Sequence, residues 1–163
     1  MILFCLGCTE RVNHHELRIR LQEQLKYSHT EENWFVPMKV ALQNLSPEQV
    51  SWKGGTQNHS IGELVSHLIF WNEMYLKTLN GEDVSDFEMK NDSTFMVYSA
   101  RDWNDVMNKL DSIQIEFGQW IENVSQEDLE EEAVDILTMT SHNAYHTGQI
   151  IYIRKQNGWW NRK

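Results

Sequence analysis

The chain alternates between stretches in which apolar residues recur every three or four positions and polar stretches with no period. The clearest periodic stretches cover about 61–79, 99–124 and 133–156, and this spacing is typical of amphipathic helices. We find no stretch with the period of two that marks a half-buried strand. The pattern predicts an all-α protein, most simply an antiparallel four-helix bundle.

Polar residues at the ends of these stretches predict where the helices begin and end. Ser60 and Glu63 have the spacing of a capping box, in which each side chain bonds the other residue's backbone N–H. The helix that they open is expected to end at the Asn-Gly pair of residues 80–81, which suits a left-handed C-cap. Ser99 is the corresponding candidate cap of the third helix.

The N-terminal part of the chain has weaker periodicity. Leucines every four residues predict a short helix over 16–27, and Thr30 is a candidate N-cap for a helix over about 30–45. Pro37 falls inside that second segment and predicts a kink or a later start. We therefore divide the chain into a partly helical N-terminal extension, 1–29, and a four-helix bundle domain, 30–163.

Two polar connections separate the later helices. The segment 82–98 is acidic, aperiodic and long for a bundle connection, which leaves room for a crossover and is typical of functional loops. The segment 125–132 is predicted to be a shorter acidic connector. The helix that follows it is apolar over most of its circumference, so we expect other helices or a second subunit to cover it.

Composition limits the class of protein. With 163 residues, 40% of them apolar and 23% charged, the chain is long enough and apolar enough for one globular domain. A net charge of −10 without a basic stripe argues against nucleic acid and anionic membranes as partners. Because no apolar run reaches the length of a membrane span, we expect a soluble, cytoplasmic protein.

The two cysteines lie in the first eight residues. Cys5 and Cys8 form a CxxC pair, which is half of a redox or metal motif, but no second pair accompanies them. We assign no function to this pair.

Three histidines are candidates for a metal site. His142 and His146 lie four residues apart and so share one helix face, which makes them half of a transition-metal site. That spacing also fits two unrelated helix histidines, and a third imidazole, His67, beside the apolar stripe of the second helix favours the metal. Three histidines leave a coordination position open, as catalytic sites do. The pair is not an HExxH motif, because Asn143 holds the place of the glutamate base.

Other chemistry-bearing residues have ordinary structural explanations. We interpret His59 as a solvated loop residue and expect no site role for the histidines of the N-terminal region, His14, His15 and His29. Core packing is the default explanation for the helical tryptophans, which are Trp34, Trp71, Trp103 and Trp120.

Four segments together resemble one known family. They are GELVSHLIFWNEMYL, HNAYHTGQIIYIRKQNGWW, and the pair WFVPMKVAL and LSPEQVSW. The chain is similar here, from about 30 to 160, to the DinB/YfiT-like superfamily of bacterial metal-binding four-helix proteins. The resemblance implies a bundle with a crossover connection, often a homodimer, in which His67, His142 and His146 hold a metal.

The resemblance also implies a range of functions. Some members are metal-dependent transferases that activate a low-molecular-weight thiol such as bacillithiol or mycothiol, others are thiol-dependent isomerases, and many have no assigned reaction. We expect a thiol S-transferase-like enzyme that acts on small electrophiles in stress or detoxification. It would hold one divalent ion per chain, Zn, Ni, Fe or Mn.

Three alternatives stay open at this point. The first is a non-catalytic stress-response binding module whose metal is structural. The second is a metal-dependent hydrolase, although no carboxylate stands out as its base. The third is a metal-free bundle in which the histidines are polar packing residues.

Overall fold

The computed structural model describes residues 14–55, 57–85, 90–96 and 102–161. These residues form six α-helices and one 3-10 turn, and none of them lies in a strand. The helices are α1 His14–His29, α2 Met38–Ala41, α3 Pro47–Ser51, α4 Ile61–Leu79, α5 Trp103–Asn123 and α6 Gln126–Gln156, with the 3-10 turn at Asn91–Thr94. The prediction of an all-α bundle is confirmed.

The four long helices, α1, α4, α5 and α6, form the bundle. Helix α1 packs chiefly against α5 and α6, and α4 packs chiefly against the same two helices. Helices α1 and α4 therefore lie across the bundle from each other, and the connection that carries α2 and α3 crosses between them. The longer second connection, in which we expected room for a crossover, instead joins the neighbouring helices α4 and α5.

Helix α1 belongs to the bundle, although it lies within the stretch that the sequence assigned to an extension. Leu21 and Leu25, from the four-residue repeat, are buried in the core. Arg18 donates hydrogen bonds to the carbonyl oxygens of Ile121 and Val124. These contacts tie α1 to the end of α5, so the bundle begins before residue 30. Cys5 and Cys8 lie outside the described residues.

The helix predicted over 30–45 is wrong for most of its length. Only Met38–Ala41 is helical, and Pro37 precedes it with φ −72° and ψ 158°. Proline has no N–H to donate and disfavours helical backbone at the residue before it, so the helix cannot extend back through this position. As a result Trp34, predicted to pack in the core, is 96% exposed.

Helix α4 begins and ends as predicted. The Ser60 hydroxyl accepts from the Glu63 N–H at 3.2 Å, and a Glu63 carboxylate oxygen accepts from the Ser60 N–H at 2.8 Å. At the other end Gly81 has φ +76°, a conformation that a residue without Cβ adopts at little cost. Eleven residues of this helix are buried, His67 among them, and nine of them form the continuous run 61–69, so the first half of α4 is covered on all sides.

The starts of α5 and α6 differ from the prediction. Helix α5 begins at Trp103, and the predicted cap Ser99 lies outside the described residues. Helix α6 begins at Gln126, seven residues before the predicted start at 133, with Ser125 as its cap. The predicted acidic connector is therefore the first two turns of α6. Acidic side chains near a helix N-terminus interact favourably with the helix dipole.

Candidate metal centre

Two helices bring the three candidate histidines together. His142 and His146 lie one turn apart on α6, and His67 comes from the middle of α4. Their Nε2 atoms are 3.1 Å apart between His67 and His142, and 3.0 Å apart between His142 and His146. One nitrogen of each ring lies within 4.8 Å of the others. We call these three side chains the histidine cluster.

Hydrogen bonds fix the protonation of two of these rings. Thr94 donates its hydroxyl hydrogen to the carbonyl oxygen of Asn91 at 2.7 Å, so its oxygen accepts from Nδ1–H of His67 at 2.6 Å. The Gln149 side-chain carbonyl similarly accepts from Nδ1–H of His146 at 2.6 Å. Both imidazoles therefore carry their proton on Nδ1 and leave the Nε2 lone pair for the cluster.

This arrangement leaves one contact of the cluster unsatisfied. His142 has one proton to give at Nε2, and it can satisfy the lone pair of His67 or of His146 but not both. The other imidazole is then left with its Nε2 lone pair about 3 Å from the same nitrogen and with no hydrogen to accept from it. A cation bound by all three nitrogens would use every Nε2 lone pair, with the His142 proton at Nδ1.

The spacing also suits a cation. Two imidazole nitrogens bound to one ion at about 2.0–2.1 Å lie roughly 3.0–3.4 Å from each other, depending on the angle at the ion. Two of the three pairs already have this separation. The residues present therefore fit a transition-metal ion.

The histidines are neutral near pH 7. Burial, and then the neighbouring imidazoles, lower the pKa of His67 to about 4. The same two causes lower the pKa of His142 to about 4, and burial lowers that of His146. Neutral imidazole is the form that ligates a metal, so the cluster is in its binding form at pH 7.

The 3-10 turn and the residue after it complete the surroundings of His67. Ser66, the preceding residue on α4, donates to the carbonyl oxygen of Thr94 at 2.8 Å and accepts from the Met96 N–H at 3.1 Å. The Phe95 ring stacks on the His67 ring with centroids 4.2 Å apart. The turn therefore supplies both a hydrogen-bond acceptor and an apolar cover for this imidazole.

Sequence reasoning missed Thr94 and Phe95, because they lie in the aperiodic connection and no local motif marks them. The length of that connection was the only signal that it has a role. Gln149 could have been found from the sequence, since it is the last residue of the HxxxHxGQ motif.

Buried amides hold α4 and α6 in register beside the cluster. The Asn72 and Asn143 side chains exchange two hydrogen bonds of 2.8 and 3.0 Å, and Gln114 on α5 donates to the Asn72 oxygen at 3.0 Å. Asn143 holds the place where HExxH has its glutamate, and it is fully occupied by this packing. The structure thus agrees with the absence of a zincin-type base.

A cleft of about 520 Å³ opens onto the cluster. It begins at His67 and His142 and extends along α4 and α6 past Trp71, Tyr75 and Met139. Gln149 lies seven residues beyond His142 along α6 and lines a separate cleft of about 530 Å³. A small molecule can therefore reach the cluster from the first cleft.

The other histidines whose side chains the structure describes are not part of the cluster. His59 is half exposed, lies 3.8 Å from a Glu63 oxygen and stacks on the outer face of Phe95 with centroids 3.7 Å apart. His29 is buried against Asp111 at 2.7 Å, and His15 is exposed.

Two of the four tryptophans expected in the core, Trp34 and Trp71, are exposed instead, whereas Trp103 and Trp120 pack against it. Trp71 is 38% exposed at the edge of the first cleft. Trp103 and Trp120 are partly buried against the core, and the Trp120 indole donates to the carbonyl oxygen of Leu79 at 3.0 Å. Large rings at helix edges reach the core with one side only, because the smaller aliphatic residues fill its centre.

A protein-family model matches most of the chain. The model of the DinB superfamily matches residues 38–150, a segment that contains all three histidines of the cluster. The chain belongs to the DinB superfamily. Searches of curated proteins and of solved structures gave no match. No helix among the described residues is long and apolar enough to cross a membrane.

Proposed function

We propose that the chain is a metal-dependent enzyme that joins a low-molecular-weight thiol to a small electrophile. His67, His142 and His146 would hold one divalent ion. The observation that carries the proposal is the convergence of their nitrogens beside an open cleft.

The donor set supports a reactive metal rather than a structural one. The group contains three imidazoles, and no carboxylate or thiolate of the described residues joins it. Structural zinc sites are closed by four protein ligands, whereas catalytic sites keep a position for water or substrate. The neighbouring cleft gives a substrate access to that position.

Residues around the cluster would prepare it for this chemistry. Thr94 and Gln149 hold the ring protons of two histidines at Nδ1, and Phe95 shields His67 from water. When bound, a divalent ion supplies the positive charge that lowers the pKa of a coordinated thiol. In the overall reaction the thiol sulfur bonds to the electrophilic carbon, the leaving group departs with its electron pair, and the thiol proton passes to water.

The position of the carboxylates favours thiol transfer over hydrolysis. Asp135 and Glu132 line the cleft, but they lie about two to three turns along α6 from His142, roughly 10–15 Å. A hydrolase needs a base within hydrogen-bond reach of its water. A thiolate is itself the nucleophile and needs no such base.

Metal content and conjugation test the proposal together. The wild-type protein, purified without a metal-affinity tag, should contain about one divalent ion per chain by elemental analysis. It should also accelerate the reaction of simple thiols with an aryl chloride that yields a coloured thioether. Both properties should disappear in His142→Ala and after chelation.

The control is His15→Ala, which removes an exposed histidine on α1. This variant should keep the ion and the activity. Conjugation that survives both chelation and His142→Ala would refute the proposal. A stoichiometric ion without turnover of any thiol or ester would instead favour the binding module with a structural metal.

A further inference from the structure

The cleft beside the histidine cluster has a charged end. Asp135, Met139 and His142 follow one another at helical spacing along α6, and all three line the cleft. Asp135 is two turns from His142, roughly 10 Å along the helix axis. A ligand that reaches the cluster can therefore extend to a carboxylate at the far end.

A second carboxylate lies at the same end. The Tyr75 hydroxyl donates to a Glu132 carboxylate oxygen at 2.9 Å. The pKa of Tyr75 is raised by burial, then by this hydrogen bond, and then by the charges of Glu132 and Asp135. Both acidic side chains thus act on one phenol. Among the described residues that line the cleft, none is a lysine or an arginine.

The walls between the cluster and the carboxylates are aromatic and apolar. Trp71 and Tyr75 from α4 and Met139 from α6 line this part of the cleft. The indole N–H of Trp71 donates to the Asn91 side chain at 3.3 Å, which connects this ring to the 3-10 turn. Aromatic faces attract cations as well as hydrocarbon. These walls therefore suit a ligand whose hydrocarbon chain ends in a positive group.

We infer that the cleft selects substrates with a cationic group, a protonated amine or a guanidinium, about two helical turns from the atom that reacts at the histidine cluster. Glu132 and Asp135 bind the cation, and Trp71 and Tyr75 line the path of the connecting chain. The inference rests on the proposed function, because it names the group of the substrate that binds at the far end of the same site.

The inference is tested by binding, measured calorimetrically on the metal-loaded protein. The probes are alkanethiols of increasing length that end in an amine, a hydroxyl or a carboxylate. Amine-terminated thiols should bind about tenfold more tightly than hydroxyl-terminated thiols of equal length. The advantage should grow with chain length until the amine reaches Asp135, and carboxylate-terminated thiols should bind most weakly.

Charge-neutral variants identify the residues responsible. The double variant Glu132→Gln with Asp135→Asn should lose the preference for amines, while the amide oxygen that it introduces at position 132 can still accept from Tyr75. Glu131→Gln makes the same charge change at an exposed α6 residue that does not line the cleft, and it should keep the preference. Equal binding of the three end groups, or an unchanged preference in the double variant, would overturn the inference.

The two proposals fail in distinguishable ways. If thiols bind and react without regard to their end group, thiol transfer stands and the cation specificity is wrong. If no thiol binds, simple alkylamines and alcohols of matched length test the far end of the cleft by themselves. Tighter binding of the amines, lost in the double variant, would then support the cation site although thiol transfer had failed, and equal binding would overturn both.

Discussion

Asn72 on α4 and Asn143 on α6 bind each other through two reciprocal side-chain hydrogen bonds in the buried interior. Asn143 is the residue directly after His142, and Asn72 lies just over one turn beyond His67. Because an amide pair of this kind tolerates little sliding of one helix along the other, it sets the register that brings the three imidazoles together.

Breaking this pair should destabilise the protein. Asn143→Leu removes two hydrogen bonds of the buried Asn72 amide and leaves it only those with Leu68 and Gln114, so we expect the free energy of unfolding to fall by about 2 kcal/mol. Urea unfolding of wild type, Asn72→Leu, Asn143→Leu and the double variant measures this loss and the coupling between the two sites. The coupling should reach about 1 kcal/mol, since the residues are in direct contact. Strictly additive losses would show that the amides do not act as a pair.

Gln149 should control metal affinity without touching the metal. Its side-chain carbonyl holds the Nδ1 proton of His146 at 2.6 Å. Loss of such a partner typically lowers metal affinity by about 10–100-fold. We expect Gln149→Ala to show this loss in a competition titration with a chelator, and Gln149→Glu, which keeps an acceptor, to restore most of it.

The control for this experiment is Gln156→Ala, on an exposed position of the same helix. It should leave the affinity unchanged. If Gln149→Ala binds the metal as tightly as Gln156→Ala does, the hydrogen bond to His146 has no part in metal binding.

Two helical glycines should respond in opposite ways to alanine. A Cβ at Gly148 would meet no atom within 4 Å, whereas a Cβ at Gly62 would lie 3.0 Å from a Val50 methyl and 3.3 Å from its backbone oxygen. Alanine stabilises a helix interior by about 1 kcal/mol relative to glycine. We therefore expect Gly148→Ala to raise the thermal midpoint and Gly62→Ala to lower it. Midpoints that move in the same direction would contradict this account of the two sites.

Local sequence signals predicted some elements well. The capping box of Ser60 and Glu63 and the stripe that follows it located α4 correctly, because both act within a few residues. His142 and His146 could be paired from spacing alone. Their meeting with His67 depends on how α4 packs against α6; the position of His67 beside an apolar stripe indicated it, and the family resemblance supported it.

Other features depend on contacts that no local pattern encodes. Thr94 reaches the ring of His67 from a connection without periodicity, and Ser66 also bonds this turn to α4. Pro37 kept α2 from extending toward the N-terminus although the apolar spacing continued on both sides, because proline has no N–H and disfavours helical backbone at the residue before it. The leucine repeat of α1 was visible, but its place in the bundle depends on packing against α5 and α6.

Glu63 should make stability depend on pH in the acid range. Its burial favours the neutral acid, but hydrogen bonds from Lys53 and the Ser60 N–H, with the charges of Lys53 and His59, together lower its pKa below the usual 4.5. A carboxyl whose pKa is lower in the folded state contributes stability that is fully present above its unfolded pKa, here 4.5. That stability is lost as the pH falls through the folded pKa.

The thermal midpoint of the wild type should therefore fall as the pH decreases below about 4.5. Glu63→Gln keeps an oxygen for the Ser60 N–H but cannot titrate. The midpoint difference between wild type and this variant should be largest near neutral pH and should shrink as acid protonates Glu63. Lys53→Met removes the 2.6 Å ion pair and should weaken the same acid dependence. A difference between wild type and Glu63→Gln that stays constant from neutral to acid pH would show that Glu63 is not the group responsible, because only a titrating carboxyl gains and loses its partners with pH.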